Sequence, residues 1–225
     1  MPDMRTNFMD FEFETANITF SPRPETELLV EKAVELLSKT TPEAGPCQIL
    51  DIGTGCGNIA ISLAKYISSS IILASDISDT ALRVARGNAV KYGVEDRVKF
   101  ICSDVFENIG PGFAFFFDLI ISNPPYVATD DFLSLSCAVK DEPYIALFGG
   151  SDGLDFYRRI SENAHIYLKS GGILLAEIGY NQARGVTKIL KDSRTFADIE
   201  IFKDYAGIDR IVKAGRKTLS GAWRQ

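Results

Sequence analysis

The stretch Gln48-Ile49-Leu50-Asp51-Ile52-Gly53-Thr54-Gly55-Cys56-Gly57, running on into Asn58-Ile59-Ala60-Ile61, decides the fold. Gln48 to Ile52 is a short apolar run broken by one acid, and it predicts a buried strand. The glycines behind it permit positive φ and close approach of backbone to a ligand. Asn58 to Tyr66 then carries apolar residues at helical spacing. A strand, a glycine-rich turn and a helix form a unit that binds its ligand beyond the carboxyl end of the strand.

Outward from this unit the chain keeps alternating. Strands are predicted at Ile71–Ser75, Val98–Cys102, Phe115–Ile121 and Gly172–Ile178. Helices are predicted at Ser78–Tyr92, with Ser78 as its cap, at Gly153–Leu168 and at Asn181–Lys191. Ile199–Lys203 and Arg210–Lys213 flank a turn containing Gly207 and read as a closing hairpin. The expected fold is therefore α/β, with an open, mostly parallel sheet, helices on both faces and a C-terminal antiparallel hairpin. Toward the N-terminus, Pro24 suits a first helical position and the acids after it suit a first turn; that helix fades by Thr40. Phe11–Glu14 and Asn17–Phe20 alternate weakly and suggest a short hairpin. Three regions follow: an arm over 1–23, a main domain over 24–214 and a polar tail over 215–225.

Composition narrows the function. The chain has 225 residues, 46% hydrophobic and 24% charged, as expected of one globular domain with a sizeable core. No apolar run approaches the ~20 residues of a membrane span. The four cysteines form no C-x-x-C pair and there is one histidine, His165, so no metal site is expected and reduced thiols in the cytoplasm are. A net charge of −6 argues against a broad phosphate-binding surface, and no direct nucleic-acid readout is expected.

The glycine turn differs from a dinucleotide fingerprint, because Asn58 stands where the third glycine belongs. Asp51 precedes the turn. A carboxylate there disfavours a pyrophosphate and suits a ligand with positive charge, such as S-adenosylmethionine. Asp76 ends the second strand, at a spacing that takes ribose hydroxyls. Asp104 follows the third and could accept from an adenine amino group, with Val105 or Phe106 against the ring. The fourth strand runs into Ser122-Asn123-Pro124-Pro125-Tyr126. Prolines lack an N–H, and Asn123 before a proline is driven extended. The result is a stiff set of acceptors, one amide and a flat aromatic wall, suited to gripping a planar –NH2 group. Glu177, ending an apolar strand, and Arg23 remain open between structural and site roles.

Together these residues resemble the class I, Rossmann-like methyltransferases that use S-adenosylmethionine. More narrowly the chain is similar to the HemK/PrmC family, the protein-(glutamine-N5) methyltransferases of peptide chain release factors. The segments that carry the likeness are Pro22-Arg23-Pro24-Glu25-Thr26-Glu27, Asp51 to Gly57, Asn123 to Tyr126, Glu142-Pro143 through Gly149-Gly150 to Asp152-Gly153-Leu154, Glu177-Ile178-Gly179 with Gln182, and Lys203-Asp204 to Arg210. The resemblance implies that Asp51, Ile52, Gly53, Thr54 and Gly55 hold the amino-acid end of the cofactor, Asp76 its ribose and Asp104-Val105 its adenine. It implies that Asn123 touches both cofactor and substrate, and that Asn123, Pro124, Pro125 and Tyr126 cradle the glutamine amide. Family members usually carry a helical N-terminal domain thought to help recognise the release factor; about twenty residues precede Pro22 here. The Asn-Pro-Pro-Tyr turn is shared with adenine-N6 methyltransferases of nucleic acids, which are the alternative, and a ribosomal-protein glutamine is a third possible acceptor.

Overall fold

The computed structural model describes residues 4–15, 19–39, 45–136, 139 and 142–218. A hairpin comes first, β1 (Met4–Phe8) against β2 (Phe11–Thr15). This corrects the expected pairing of Phe11–Glu14 with Asn17–Phe20. Thr19 and Phe20 are not in a strand, and residues 16–18 lie outside the described residues. The pairing that forms buries Phe8 and Phe13, whose rings meet edge to face at 6.1 Å. Aromatic burial outweighs the weak alternation on which the expectation rested. The first helix, α1 (Pro24–Lys39), begins at Pro24 and buries Leu29, Val30, Ala33 and Leu37.

The main sheet has seven strands: β3 (Cys47–Ile52), β4 (Ser70–Asp76), β5 (Val98–Cys102), β6 (Phe117–Ser122), β7 (Leu168–Glu177), β8 (Phe196–Lys203) and β9 (Asp209–Arg216), in the order β5-β4-β3-β6-β7-β9-β8. The first five in that order are parallel, and β9 and β8 close the sheet antiparallel. Between the strands run α2 (Asn58–Tyr66) and α3 (Asp79–Lys91), the latter capped by Ser78 as expected. Among the described residues, the segment after β6 includes the single-turn helices α4 (Thr129–Phe132) and α5 (Tyr144–Leu147). Then come α6 (Asp155–Tyr167) and α7 (Ala183–Asp192). Compared with the expected bounds, β7 begins at Leu168 rather than Gly172, so the helix ahead of it stops at Tyr167.

Strand alternation sorts the core onto two faces. Ile49 packs with residues of α1, α2 and the hairpin, whereas Leu50 and Ile52 pack with α6 and α7. Each such fully buried side chain contributes about 1.5–3 kcal/mol. The strand order reverses at β3, with β4 on one side and β6 on the other. Ile52 pairs with Ser75 and with Ser122, which brings three carboxyl ends level. Their turns are tied together: Gly53 and Thr54 N–H donate to the Ser75 carbonyl at 2.8 and 2.9 Å, and the Ser122 hydroxyl donates to the Ile52 carbonyl at 2.7 Å. A switch point of this kind is where open α/β sheets bind ligands. No described helix is long and apolar enough to cross a membrane.

Candidate active site

A cleft of about 350 Å³ opens over this switch point. At one end lies the glycine turn, with φ of 73° at Gly53 and 57° at Gly55. A Cβ added to either would meet nothing within 4 Å, so the turn presents bare backbone to the cleft. Asp76 lines the same end. Its two oxygens accept from Gly55 N–H at 2.8 Å and Ser78 N–H at 2.9 Å. Each oxygen keeps a second lone pair for a ligand hydroxyl. Burial pushes the Asp76 carboxyl above its ordinary pKa, and the two N–H donors oppose that shift. Ile52, Thr54, Asp104 and Val105 also line the cleft. Asp104 is shared: Arg159 holds one oxygen at 2.8 Å. Val105 sits at φ 52°, a left-handed conformation that costs a β-branched residue about 1–3 kcal/mol.

Asp51 does not line the cleft, which corrects the reading that placed it inside the pocket. Alternation along β3 turns it to the same face as Ile49, beneath the glycine turn and fully buried. Its Oδ2 accepts from the Thr54 hydroxyl at 2.6 Å, and no described group reaches Oδ1. Desolvation pushes its pKa up to about 7. Asp51 therefore shapes the turn through Thr54.

At the other end stand Asn123, Pro124, Pro125 and Tyr126. Among the described residues no hydrogen-bond donor reaches the Asn123 Oδ1 or the Pro124 carbonyl oxygen. The Asn123 Nδ2 donates to Thr26 Oγ1 at 3.0 Å, and that hydroxyl donates to Glu177 Oε2 at 2.7 Å. The Tyr126 hydroxyl donates to Glu177 Oε1 at 3.3 Å, and the Tyr157 hydroxyl to the Glu177 carbonyl at 2.8 Å. Glu177 is 1% exposed, and desolvation pushes its pKa up to about 7 against the pull of Thr26 and Arg210. Burial and the neighbouring carboxylate push the Tyr126 phenol upward as well.

Tyr126 is gripped by a collar of distant residues. Gln182 Nε2 donates to its carbonyl at 2.8 Å and to that of Gly153 at 3.2 Å. A Cβ on Gly149 would lie 2.7 Å from the Tyr126 Cα and 2.8 Å from the Pro125 carbonyl oxygen, so only glycine lets the two segments pass. Arg23 lines the cleft mouth, over the Phe20 ring at 5.0 Å and ion-paired to Glu142.

Comparison with known proteins gives the family. Residues 26–136 match the methyltransferase small domain family. Over 214 residues the chain is 42% identical to the release factor glutamine methyltransferase of Clostridium acetobutylicum, covering 94% of this chain and 73% of that one. The chain belongs to the release factor glutamine methyltransferase family. A Fusobacterium nucleatum family member is 41% identical over 208 residues, 92% of this chain and 56% of its own. Among solved structures, the release factor-specific protein-(glutamine-N5) methyltransferase of Alicyclobacillus acidocaldarius aligns with a TM-score of 0.53 at 27% identity, covering 87% of this chain and 94% of that one.

Family membership brings a class I methyltransferase fold and S-adenosylmethionine as methyl donor. The cleft fits that cofactor, with a bare glycine turn, the Asp76 carboxylate and the buried Asp51 charge at one end. Thr26 and Arg210 also line the cleft and Glu142 pairs with Arg23 at its edge; sequence reasoning gave these three no role. Glu177, left open, sits directly behind the Asn123 turn. The sign that could have found the Thr26–Glu177 pair was an acid ending an otherwise apolar strand, which demands a buried donor from elsewhere.

Proposed function

We propose that this protein transfers a methyl group from S-adenosylmethionine to the side-chain amide nitrogen of a glutamine in a peptide chain release factor, in the cytoplasm. The single observation behind this reading is a pair of oxygens, Asn123 Oδ1 and the Pro124 carbonyl, that no donor among the described residues reaches, on a turn that lines the cleft. They are matched to the two hydrogens of a primary amide.

An amide nitrogen is a poor nucleophile because its lone pair is delocalised into the carbonyl. Two fixed acceptors hold both N–H bonds in the amide plane and leave the face that carries the lone pair open to the methyl. Tyr126 walls the amide plane. Bound S-adenosylmethionine supplies a methyl group already activated by a sulfonium. Asp76 and the glycine turn would hold the donor, and the acceptor turn would fix the amide nitrogen opposite it, which would contribute through alignment. As the nitrogen–carbon bond forms and the carbon–sulfur bond breaks, positive charge grows on nitrogen beside the two oxygen dipoles. Preorganised dipoles aimed at developing charge are the largest common source of rate. The methylated amide cation then gives its extra proton to water. No base is required of Glu177, which instead accepts from the Thr26 and Tyr126 hydroxyls.

Transfer of labelled methyl from S-adenosylmethionine to a purified release factor, run beside DNA and RNA, tests this reading. Label is expected in the release factor alone; label in nucleic acid instead would overturn it.

A further inference from the structure

The Asn123 amide can present either of two ends to the cleft, and they are chemically opposite. The oxygen accepts from a substrate N–H. The nitrogen would set N–H against N–H. What lies behind Asn123 decides between them. Thr26, from the start of α1, and Glu177, from the end of β7, meet there although they are far apart in sequence, and Thr26 is 1% exposed. A threonine hydroxyl has one proton, and an ionised carboxylate only accepts. That proton is committed to Glu177 Oε2 at 2.7 Å. Thr26 Oγ1 can then only accept from Asn123, at 3.0 Å. Which atom of an asparagine side chain is nitrogen is read from such a network. With Glu177 ionised the network admits one answer, nitrogen toward Thr26 and oxygen left for the cleft. The second oxygen of the same carboxylate takes the Tyr126 hydroxyl.

We propose that Glu177 and Thr26 are positioning residues, a buried relay that fixes which end of the Asn123 amide meets the substrate nitrogen while the same carboxylate steadies Tyr126. The proposal rests on the glutamine-methylation reading and adds a specificity element to it. A carboxylate serving only to pack would be a poor choice, since apolar groups of similar volume fill such a site at lower cost. The other titratable groups around Glu177 are Tyr157 on α6, Arg210 on β9 and Glu25 on α1. Arg210 is itself paired to Asp204, and Tyr157 is bound to the Glu177 carbonyl, so neither replaces Thr26 as the link to Asn123.

The test compares Thr26→Val, which keeps the shape and removes the hydroxyl, with Thr26→Ser, which restores it. In methyl transfer to a release factor, Thr26→Val is expected to lower kcat by on the order of tenfold to a hundredfold, with cofactor affinity within about twofold of wild type. Thr26→Ser is expected to recover most of that loss. Glu177→Gln is expected to lower kcat too. Its amide can donate to Thr26 and free the threonine proton for the Asn123 oxygen, which releases the constraint. A second readout needs no turnover: in nitrogen-15-labelled wild-type protein the Asn123 side-chain amide, assigned by its loss in Asn123→Asp, should exchange its protons slowly. It should exchange as fast as a free amide in Thr26→Val. Wild-type kcat in Thr26→Val, or fast exchange in the wild type, would overturn the relay and leave the methylation reading intact. A wild-type protein with slow exchange that methylates no release factor would uphold the relay's geometry and overturn the activity.

Discussion

The two ends of the cleft each keep a buried carboxyl whose pKa is pushed up to about 7, yet they use it differently. Asp51 lies beneath a turn made of its own neighbours, bonded to Thr54 three residues on, with one oxygen unmatched. Glu177 has both oxygens matched, by hydroxyls of Thr26 and Tyr126 brought from two other parts of the chain. The cofactor end is thus a local device, built within one strand, turn and helix. The amide end is an assembled device, built only once α1, β6 and β7 have packed. A local device tolerates a ligand that carries most of its own reactivity. An assembled one suits a substrate that needs activation, as the proposed glutamine amide does.

That contrast can be broken by substitution. The largest expected effect is at the assembled end. Asn123→Ala removes one of the two acceptors aimed at developing charge and should lower kcat by about 3 kcal/mol or more, with cofactor binding little changed. Turnover at the wild-type level, followed by single-turnover kinetics, would merge the two ends into one binding site.

A comparable effect is expected in stability against pH. Glu177 rises from an ordinary 4.5 to about 7 in the folded protein. A carboxyl with a raised folded pKa favours the fold fully below its unfolded pKa, and that contribution is lost as pH climbs through the folded value. Between about pH 4.5 and 7 the fold should therefore lose roughly 3 kcal/mol through this group. Chemical denaturation of Glu177→Gln at pH 5 and pH 8 should show a smaller difference than in the wild type; an equal difference would mean the carboxylate is not desolvated.

At the local end, Asp76→Asn should weaken cofactor binding by about 1.5–3 kcal/mol, the worth of a hydrogen bond to a charged group, with kcat near wild type when cofactor saturates. Calorimetry of cofactor binding checks this, and an affinity unchanged from wild type would remove Asp76 from the site. The smallest effect belongs to Tyr126→Phe. It loses one 3.3 Å hydrogen bond and keeps the ring, so kcat should fall by about 1 kcal/mol at most. Tyr126→Ala, which removes the wall, should cost clearly more, and equal rates for the two would show that the ring does not support the amide.

Legibility in the sequence follows the same division. The sheet, the glycine turn and the Asp76 position were readable because strand and helix periodicity and a fixed spacing lie within one contiguous stretch. Asp51 was readable as an acid ahead of the glycines, but its direction was not: one step of strand alternation turns it from the cleft to the α1 and α2 face. The Asn123 turn was readable through its prolines. What holds Asn123 was not, since no local pattern ties Thr26 to a glutamate on β7. The hairpin partner of β2 was missed because Met4–Phe8 shows little alternation, and only the burial of Phe8 against Phe13 selects it.

In the proposed reaction a neutral glutamine amide is the methyl acceptor at the Asn123–Pro124 oxygens. Tandem mass spectrometry of a purified release factor, after incubation with this protein and S-adenosylmethionine, tests it most directly. One added methyl group is expected on the side-chain nitrogen of one glutamine, absent when Asn123→Ala replaces the wild type. A methyl group on any other atom, or an unmodified release factor, would contradict it.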